Sequence, residues 1–174
     1  MTSDDGLAGG PDGFERLWTP HRMAYIERNN ADGERPCPFC VAPTMDDASS
    51  LIVHRGVECF VLLNLFPYNP GHLLVCPYRH VADYTDLTAT ETVEVASLTQ
   101  RAMEVLRAVS APAGFNLGMN QGSVAGAGIA PHLHQHVVPR WLGDANFMPI
   151  IGQTKPLPQL LGDTRDRIAT AWTE

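Results

Sequence analysis

Three histidines alternate with other residues in one short stretch of this chain, residues 131–141. His132, His134 and His136 are separated by a leucine and a glutamine, and two valines follow. Alternation with a period of two, together with β-branched residues, predicts a strand on which the three imidazoles project from one face. Buried imidazoles each need hydrogen-bond partners, so a row of them fills a core poorly. The pattern favours a catalytic or metal-binding row over a solvated histidine-rich edge.

A run of small residues leads into the histidines. Residues 120–130 contain three glycines and three alanines. Backbone amides in such a loop can approach an anion closely without the help of a lysine. A loop of this kind followed by histidines suggests a phosphate held against an imidazole nucleophile.

A pair of cysteines marks a second candidate site. Cys37 and Cys40 form a CxxC pattern, which can be a disulfide, a redox pair or half of a metal site. A redox pair is expected in a βαβ setting, whereas residues 41–50 read as a loop rich in proline, aspartate and serine. Half of a zinc site is therefore favoured, and it needs two further ligands.

The motifs together resemble the histidine-triad (HIT) family of nucleotide hydrolases and transferases. The family motif is His-φ-His-φ-His-φ-φ with φ apolar, and residues 132–138 match it except at Gln135. Residues 17–25, 69–75 and 143–148 also resemble family blocks and occur in the family's order. The likeness is greatest to the bacterial and actinobacterial branch that includes diadenosine tetraphosphate phosphorylases.

The resemblance implies a role for each histidine near the motif. The middle histidine, His134, is the expected nucleophile, which forms a covalent phosphoramidate with an α-phosphorus. His136 and His72 are expected to contact the phosphates or to orient the nucleophile, and Gln121 to lie near the scissile phosphate. The residues expected to bind the nucleotide, with Asn64 at the ribose hydroxyls, are Asn64, Asn120, Gly122, Ser123, Gly126 and Gly128.

The resemblance also implies the ligands of the metal. Zinc-bearing members of the family use a CxxC, a histidine that ends the strand after Pro-Gly-His, and the first motif histidine. These positions correspond to Cys37, Cys40, His80 and His132 in this sequence. We expect a structural Cys₂His₂ zinc with no open coordination position. Some relatives lack the cysteines, so catalysis is not expected to use the metal as a Lewis acid.

Three functions from different classes agree with these motifs. The first is cleavage of a dinucleoside polyphosphate between its α and β phosphates, with adenosine nucleotides as the expected substrates. Inorganic phosphate as the acceptor makes the enzyme a phosphorylase and water makes it a hydrolase, and the sequence leaves this choice open. The second is a nucleoside phosphoramidase that acts on AMP–amine conjugates, and the third is a non-catalytic nucleotide-binding module.

The remaining patterns predict the elements that position these residues. A capping box at Thr88 and Glu91 opens a helix that runs to about Ser110 with an apolar stripe facing the core. Cys59 and Cys76 lie in apolar strands and are expected to be core thiols. The predicted strands are 51–55, 59–65, 72–78, 115–119 and the histidine stretch, followed by a terminal helix over 156–172. Five strands in hairpin and meander order predict an α+β, HIT-like fold: a five-stranded antiparallel sheet with the long helix packed on it and a C-terminal helix.

Length and charge set the remaining expectations. The chain has 174 residues, of which 44% are hydrophobic, and a formal net charge of −7. We expect a disordered leader over residues 1–13 and one HIT domain over 14–174, and the acidic balance argues against general binding to nucleic acid. No apolar run approaches the roughly 20 residues of a membrane span, and a cytoplasmic location is expected. The apolar arm at residues 14–29 is expected to pack on the domain or on a partner, in a homodimer or homotetramer.

Overall fold

The structure is a computed structural model that describes residues 36–144 and 159–173. The expected leader and arm, and the first residues of the expected terminal helix, lie outside this part of the chain. The helices are α1 (Pro38–Val41), α2 (Ala89–Ser110) and α3 (Leu161–Thr173), and the strands are β1 (Ile52–Arg55), β2 (Cys59–Leu63), β3 (Leu73–Pro77), β4 (Gly114–Gly118) and β5 (Gln135–Arg140). Short 3₁₀ turns cover Ala42–Thr44, Tyr84–Asp86 and Ser123–Ala125.

The five strands form one sheet in the order β1-β2-β3-β5-β4, and every neighbouring pair is antiparallel. The predicted α+β fold with a five-stranded antiparallel sheet, a long helix and a C-terminal helix is confirmed. The simple meander is wrong, because β5 lies between β3 and β4 instead of at the edge. Val137 and Val138 of β5 are buried, whereas the last three residues of β4 are exposed. The strand in the interior position is therefore the more buried of the two.

The predicted strand through all three motif histidines is wrong at its start. β5 begins at Gln135, so that among the three only His136 lies within it. The N–H of His132 donates to the carbonyl of Ile129 at 3.4 Å, and the N–H of Leu133 donates to that of Val81 at 2.7 Å. These bonds replace a regular ladder, so the residues before Gln135 form a turn.

The two faces of the sheet have different coverings. Alternate residues of β2 and β3 point to opposite faces, and both strands are buried throughout. One face packs on α2 and α3, and its core includes Val61, Val75, Leu106, Ile168 and Trp172. The other face holds what we call the second core, which is formed by Phe39, Ala42, Ile52, Phe60, Leu62, Leu74 and Cys76. The expected core thiols, Cys59 and Cys76, are both fully buried and lie on opposite faces.

Two side chains fasten α2 to the sheet and to the loop that follows β3. Glu94 accepts hydrogen bonds from the backbone amides of residues 57–59, which close the β1–β2 hairpin. A Cβ at Gly56 would lie 2.5 Å from this carboxylate and 2.9 Å from the backbone carbonyl oxygen of Cys59, so the turn favours glycine. Among the described residues, no helix is long and apolar enough to cross a bilayer.

The start of α2 is tied to the segment that carries His80. Thr88 and Glu91 form the predicted capping box. Glu91, which is only 3% exposed, also accepts two hydrogen bonds from Arg79, at 2.9 and 2.7 Å. The Arg79 guanidinium, partly opposed by burial, lowers the pKa of Glu91 from 4.5 to about 2.

This lowered pKa predicts how the stability of the protein depends on acid. The ionised Glu91 stabilises the fold fully above about pH 4.5, and this contribution is lost as the pH falls towards 2. Replacement of Glu91 by glutamine should lower the free energy of unfolding by about 1–3 kcal/mol at pH 7, the value of hydrogen bonds to a charged group. The difference between the two proteins should shrink between pH 4.5 and pH 2 in urea unfolding measured at each pH.

Glu104 offers a matched control on the same helix. It is 62% exposed and meets Arg101 at 3.4 Å. Glu104→Gln should change the free energy of unfolding by less than about 0.5 kcal/mol at any pH. Equal effects of the two substitutions would contradict the assigned role of Glu91.

Candidate active site and metal centre

Two cysteines and two histidines come together at one end of the second core. The structure places one ligand atom from each of Cys37, Cys40, His80 and His132 within 4.8 Å of the others. The Sγ atoms of Cys37 and Cys40 lie 3.3 and 3.5 Å from Nδ1 of His132, and Sγ of Cys40 lies 3.2 Å from Nδ1 of His80. This donor set fits a tetrahedral site for a divalent cation such as zinc.

The local backbone explains why these atoms face one another. Pro38 begins α1, a single turn in which the amides of Cys40 and Val41 both donate to the carbonyl of Cys37 at 3.0 Å. This turn brings the two thiols together. Burial, followed by the neighbouring Cys37 thiol, raises the pKa of Cys40. A bound cation favours the opposite state, because thiolates are the form that coordinates a metal.

The two ring nitrogens of His132 have different partners: one binds a backbone carbonyl, and the other faces the thiols of the cluster. Its Nε2 lies 2.9 Å from the carbonyl oxygen of Pro77, to which it can only donate. A neutral imidazole carries a single ring proton, so this hydrogen bond leaves Nδ1 with a lone pair that faces the thiols. Burial lowers the pKa of His132, which favours the neutral form that binds metals. The residue is therefore prepared as a ligand by a partner outside the cluster.

The tautomer of His134 is also fixed by a backbone carbonyl, but here the ring proton is on Nδ1. Its Nδ1 donates to the backbone carbonyl of His132 at 2.8 Å, which leaves the lone pair on Nε2. The residue is 7% exposed, and burial lowers its pKa, which keeps the ring neutral at pH 7. A neutral imidazole with one nitrogen anchored and a lone pair on the other has the form that nucleophilic attack requires.

His72 and His136 form a pair of linked imidazoles beside His134. The backbone amide of Tyr68 donates to Nδ1 of His72 at 3.0 Å, which places the ring proton of His72 on Nε2. This Nε2 lies 2.9 Å from Nδ1 of His136 and donates to it. His136 then carries its own proton on Nε2, and its ring centroid lies 4.9 Å from that of His134. A chain of fixed tautomers therefore runs from the backbone amide of Tyr68 through His72 and His136 to the neighbourhood of His134.

The buried amide of Asn69 links the turn before His72 to the end of β5. Asn69, only 5% exposed, donates to the carbonyl of Pro139 at 2.9 Å and to Oδ2 of Asp144 at 2.7 Å. Asp144 also receives two hydrogen bonds from Arg140, at 2.6 and 2.8 Å. The Arg140 guanidinium holds the pKa of Asp144 well below its usual range. The turn that leads to His72 is thus fixed to the end of β5, the strand that carries His136.

Comparison with known proteins identifies the family of this chain. A sequence profile of the HIT domain matches residues 46–141. An AP-4-A phosphorylase from Mycobacterium tuberculosis is 49% identical to this chain, over 97% of the chain and 89% of the relative. The chain belongs to the HIT domain family. The family resemblance seen in the sequence is thereby confirmed.

Two further proteins are less similar in sequence to this HIT domain. A bis(5'-nucleosyl)-tetraphosphatase (asymmetrical) from Schizosaccharomyces pombe is 33% identical over 55% of this chain and 52% of the relative. The crystal structure of a zinc-bound histidine triad family protein from Mycobacterium smegmatis superposes with a TM-score of 0.64 at 24% identity. It covers 79% of this chain and 94% of its own, and at this identity it shows a shared fold.

Some backbone amides of the small-residue loop in this HIT domain form hydrogen bonds within the loop itself. The amide of Gly126 donates to the carbonyl of Ser123 at 2.9 Å, and that of Ala127 donates to Gly122 at 3.4 Å. Gly122 and Gly126 both have a positive φ, which glycine adopts without strain. The Asn120 side chain donates to the carbonyl of Gly126 at 3.4 Å. Two of the amides expected to hold phosphate therefore close turns within the loop, and an anion would share them or displace these bonds.

Gln121 and Asn64 also have protein partners. Both ends of the Gln121 amide bind the backbone of the segment after β3, with Nε2 donating to Ala82 and Oε1 accepting from Tyr84 at 2.9 Å each. Asn64 accepts from the amide of Phe66 at 3.0 Å, and its Nδ2 lies 3.3 Å from Nδ1 of His72. Asn64 is therefore placed at the histidine pair, whereas Gln121 fastens the loop to another segment. Their expected roles with the ribose and the scissile phosphate stay predictions.

Sequence reasoning missed three residues of this HIT domain that contact the site. Phe39 packs against the rings of His132 and His134, and Tyr68 stacks on His72 with ring centroids 4.9 Å apart. Asn69 lies in a block that matched the family, but its motif predicts only a turn. One sequence feature could have identified Phe39, namely its position between the two cysteines expected to bind the metal. Tyr68 had none, because an aromatic residue beside prolines is typical of any loop.

The buried position of Asn69 predicts a large effect of its removal. Asn69→Ala should lower the free energy of unfolding by about 2 kcal/mol, because it removes the buried hydrogen bond to the carbonyl of Pro139 and one of the hydrogen bonds to the Asp144 carboxylate. Urea unfolding measures this difference. Asn120→Ala, which removes one long hydrogen bond from a half-buried residue, should cost less than about 1 kcal/mol. A smaller cost at Asn69 than at Asn120 would show that the amide does not hold the turn to β5.

Proposed function

We propose that this protein is an enzyme that cleaves dinucleoside polyphosphates through a nucleotidyl–His134 intermediate. The observation that carries the proposal is the fixed tautomer of His134, whose Nδ1–H is held by the carbonyl of His132 while Nε2 keeps its lone pair. The linked imidazoles of His72 and His136 next to it support the same reading. The 49% identical relative bears the name AP-4-A phosphorylase, which points to diadenosine tetraphosphate as the substrate.

The proposed reaction has two displacements at the α-phosphorus. Nε2 of His134 attacks the α-phosphorus, the N–P bond forms, and the bond to the oxygen that bridges the α and β phosphates breaks. With diadenosine tetraphosphate, the leaving group is ATP and the protein carries AMP on His134. An acceptor oxygen then attacks the same phosphorus and the N–P bond breaks, which restores the imidazole. Inorganic phosphate as the acceptor gives ADP, and water gives AMP.

The other residues have supporting roles in this proposal. His136, with its proton on Nε2, is a donor to the phosphate oxygens on which charge develops, and His72 fixes that tautomer. Asn64, beside His72, is proposed to bind the ribose. The loop over residues 120–128 is proposed to hold the phosphates through its amides, after rearrangement of the turns described above. Gln121 is proposed to orient the acceptor once released from the segment after β3.

A product assay tests the proposal and identifies the acceptor. Diadenosine tetraphosphate incubated with the protein and inorganic phosphate should give equimolar ADP and ATP, as measured by anion-exchange chromatography. AMP and ATP irrespective of phosphate would instead indicate a hydrolase. Cleavage of an AMP–amine conjugate alone would indicate a phosphoramidase, and binding without turnover of either substrate would indicate a binding module.

His134→Ala supplies the test of the intermediate. The substitution should lower kcat by at least about 10⁴-fold, because no other group is proposed to form the bond to phosphorus, while AMP still binds. His54→Ala is the control, since His54 stacks on Trp172 of α3 and lies apart from this site. It should leave kcat within about threefold. A comparable loss of kcat in both variants would rule out a covalent role for His134.

We also propose that Cys37, Cys40, His80 and His132 bind a structural zinc ion. The support is the tetrahedral donor set and the hydrogen bond that directs the His132 lone pair to the thiols. When bound, zinc would hold α1 and the histidine turn together, and all four coordination positions would be filled by protein. The homodimer or homotetramer and the cytoplasmic location stay predictions.

Metal analysis tests the zinc proposal. The purified protein should contain about one zinc per chain, and Cys40→Ser should lose most of it and unfold at a lower temperature. His134→Asn, which leaves all four ligands in place, should keep the metal. Full zinc content in Cys40→Ser would contradict the assigned ligand set, and plasma emission spectrometry gives the stoichiometry in each case.

A further inference from the structure

Phe39 lies between the two cysteines and packs against the expected nucleophile. Its ring centroid lies 5.0 Å from that of His134, with 47° between the ring planes, and 5.5 Å from that of His132. Phe39 is 5% exposed and belongs to the second core. The hydrogen bond from Nδ1 anchors the His134 ring at one atom only. The packed ring of Phe39 supplies a further contact, on top of that with the His136 ring, that limits rotation of the imidazole.

The position of Phe39 depends on the cysteines on either side of it. α1 is one turn long, and an isolated helix of this length is not stable in water. Its place is therefore set by tertiary contacts, namely the second core below it and the Cys37–Cys40–His80–His132 cluster beside it. A change in the geometry of the cluster moves the backbone that carries Phe39.

We propose that Phe39 is a positioning residue, which holds the imidazole of His134 in the orientation for attack and transmits the state of the metal cluster to it. This inference rests on the proposed function, because it assigns the purpose of the contact to the nucleophilic step. It adds a route separate from His132. His132 fixes the tautomer of His134 through its carbonyl, and Phe39 fixes the plane of the ring.

The test compares Phe39→Leu and Phe39→Ala with Phe60→Leu. Phe60 is a matched control, because it is fully buried in the same second core and stacks on Tyr78 at 5.2 Å. Four quantities are measured for each variant: zinc per chain, the dissociation constant for AMP, the rate of His134 nucleotidylation in a rapid-quench experiment, and the ring proton shifts of His134 by NMR. The His134→Asn variant assigns the NMR signals.

Loss of the Phe39 ring should slow the chemical step selectively. Phe39→Ala should lower the rate of nucleotidylation by about 10- to 100-fold, as expected for a misplaced reacting group, with zinc content kept and AMP affinity within about threefold. Phe39→Leu should recover much of this rate. Both variants should shift the His134 ring protons, and Phe60→Leu should change neither the rate nor these shifts. A loss of zinc in Phe39→Leu, or an equal loss of rate in Phe60→Leu, would overturn the inference.

A double substitution tests the link to the cluster. If the metal acts on His134 partly through Phe39, Cys40→Ser and Phe39→Ala should not be additive, and the double variant should be less than about threefold slower than Cys40→Ser alone. Fully additive losses would sink the proposed coupling. The NMR shifts separate this inference from the proposed function. If the wild-type protein forms no nucleotidyl–histidine but Phe39→Leu still shifts the His134 ring protons, the function is wrong and the contact between Phe39 and His134 stands. Unmoved His134 signals in a protein that does form the intermediate would reject the role of Phe39 alone.

Discussion

The carbonyl oxygen of His132 is the acceptor on which the candidate site depends. It receives the proton of His134 Nδ1, while the side chain of the same residue spans from the Pro77 carbonyl to the two thiols. One residue therefore fixes a tautomer through its backbone and a cation-binding cluster through its ring. His132 is fully buried. It can make both contacts only because it lies in the turn before β5, which begins at Gln135. Its backbone carbonyl is therefore not used in a hydrogen bond between strands.

The two faces of the sheet differ: one packs against α2 and α3, and the other carries the candidate site. The face under α2 and α3 is apolar, and the hydrogen bonds of Glu94 and Glu91 fasten the long helix to the loops at its start. The opposite face carries the polar residues of the candidate site. Leu74 is directly opposite His136 in the register, so both point to the same face as the second core. His72 lies on this side too, because its Nε2 is 2.9 Å from Nδ1 of His136. A shift of one residue in the pairing of β3 with β5 would turn the side chain of His136 to the other face of the sheet and away from His72.

The sequence was sufficient for the local elements and insufficient for their pairing. A capping box and an apolar stripe act within one segment, so the bounds of α2 could be predicted from Thr88 and Glu91 to within a residue. The interior place of β5 depends on the competition between two strands for burial, which no local pattern records. The predicted start of β5 is also wrong, because the amide of Leu133 donates to the carbonyl of Val81, which lies 52 positions away in the sequence. The four cluster residues came from the family resemblance, and the contacts of Phe39, Asn69 and Gln121 appear only in three dimensions.

The charge balance of the protein constrains how a polyphosphate could be held. The chain has a net charge of −7, so a general attractive field does not bring an anion to this site. Arg79, which precedes His80, and Arg140, which ends the strand of His136, are each paired with a buried or half-buried carboxylate. Negative charge on a transferring phosphoryl group would therefore be met by directed N–H groups, above all that of His136. Such donors stabilise charge only where they are already aligned and water is excluded, because each would otherwise bind solvent equally well. The hydrogen bonds that set the tautomers of His72 and His136 are accordingly as necessary to the proposed reaction as the nucleophile itself.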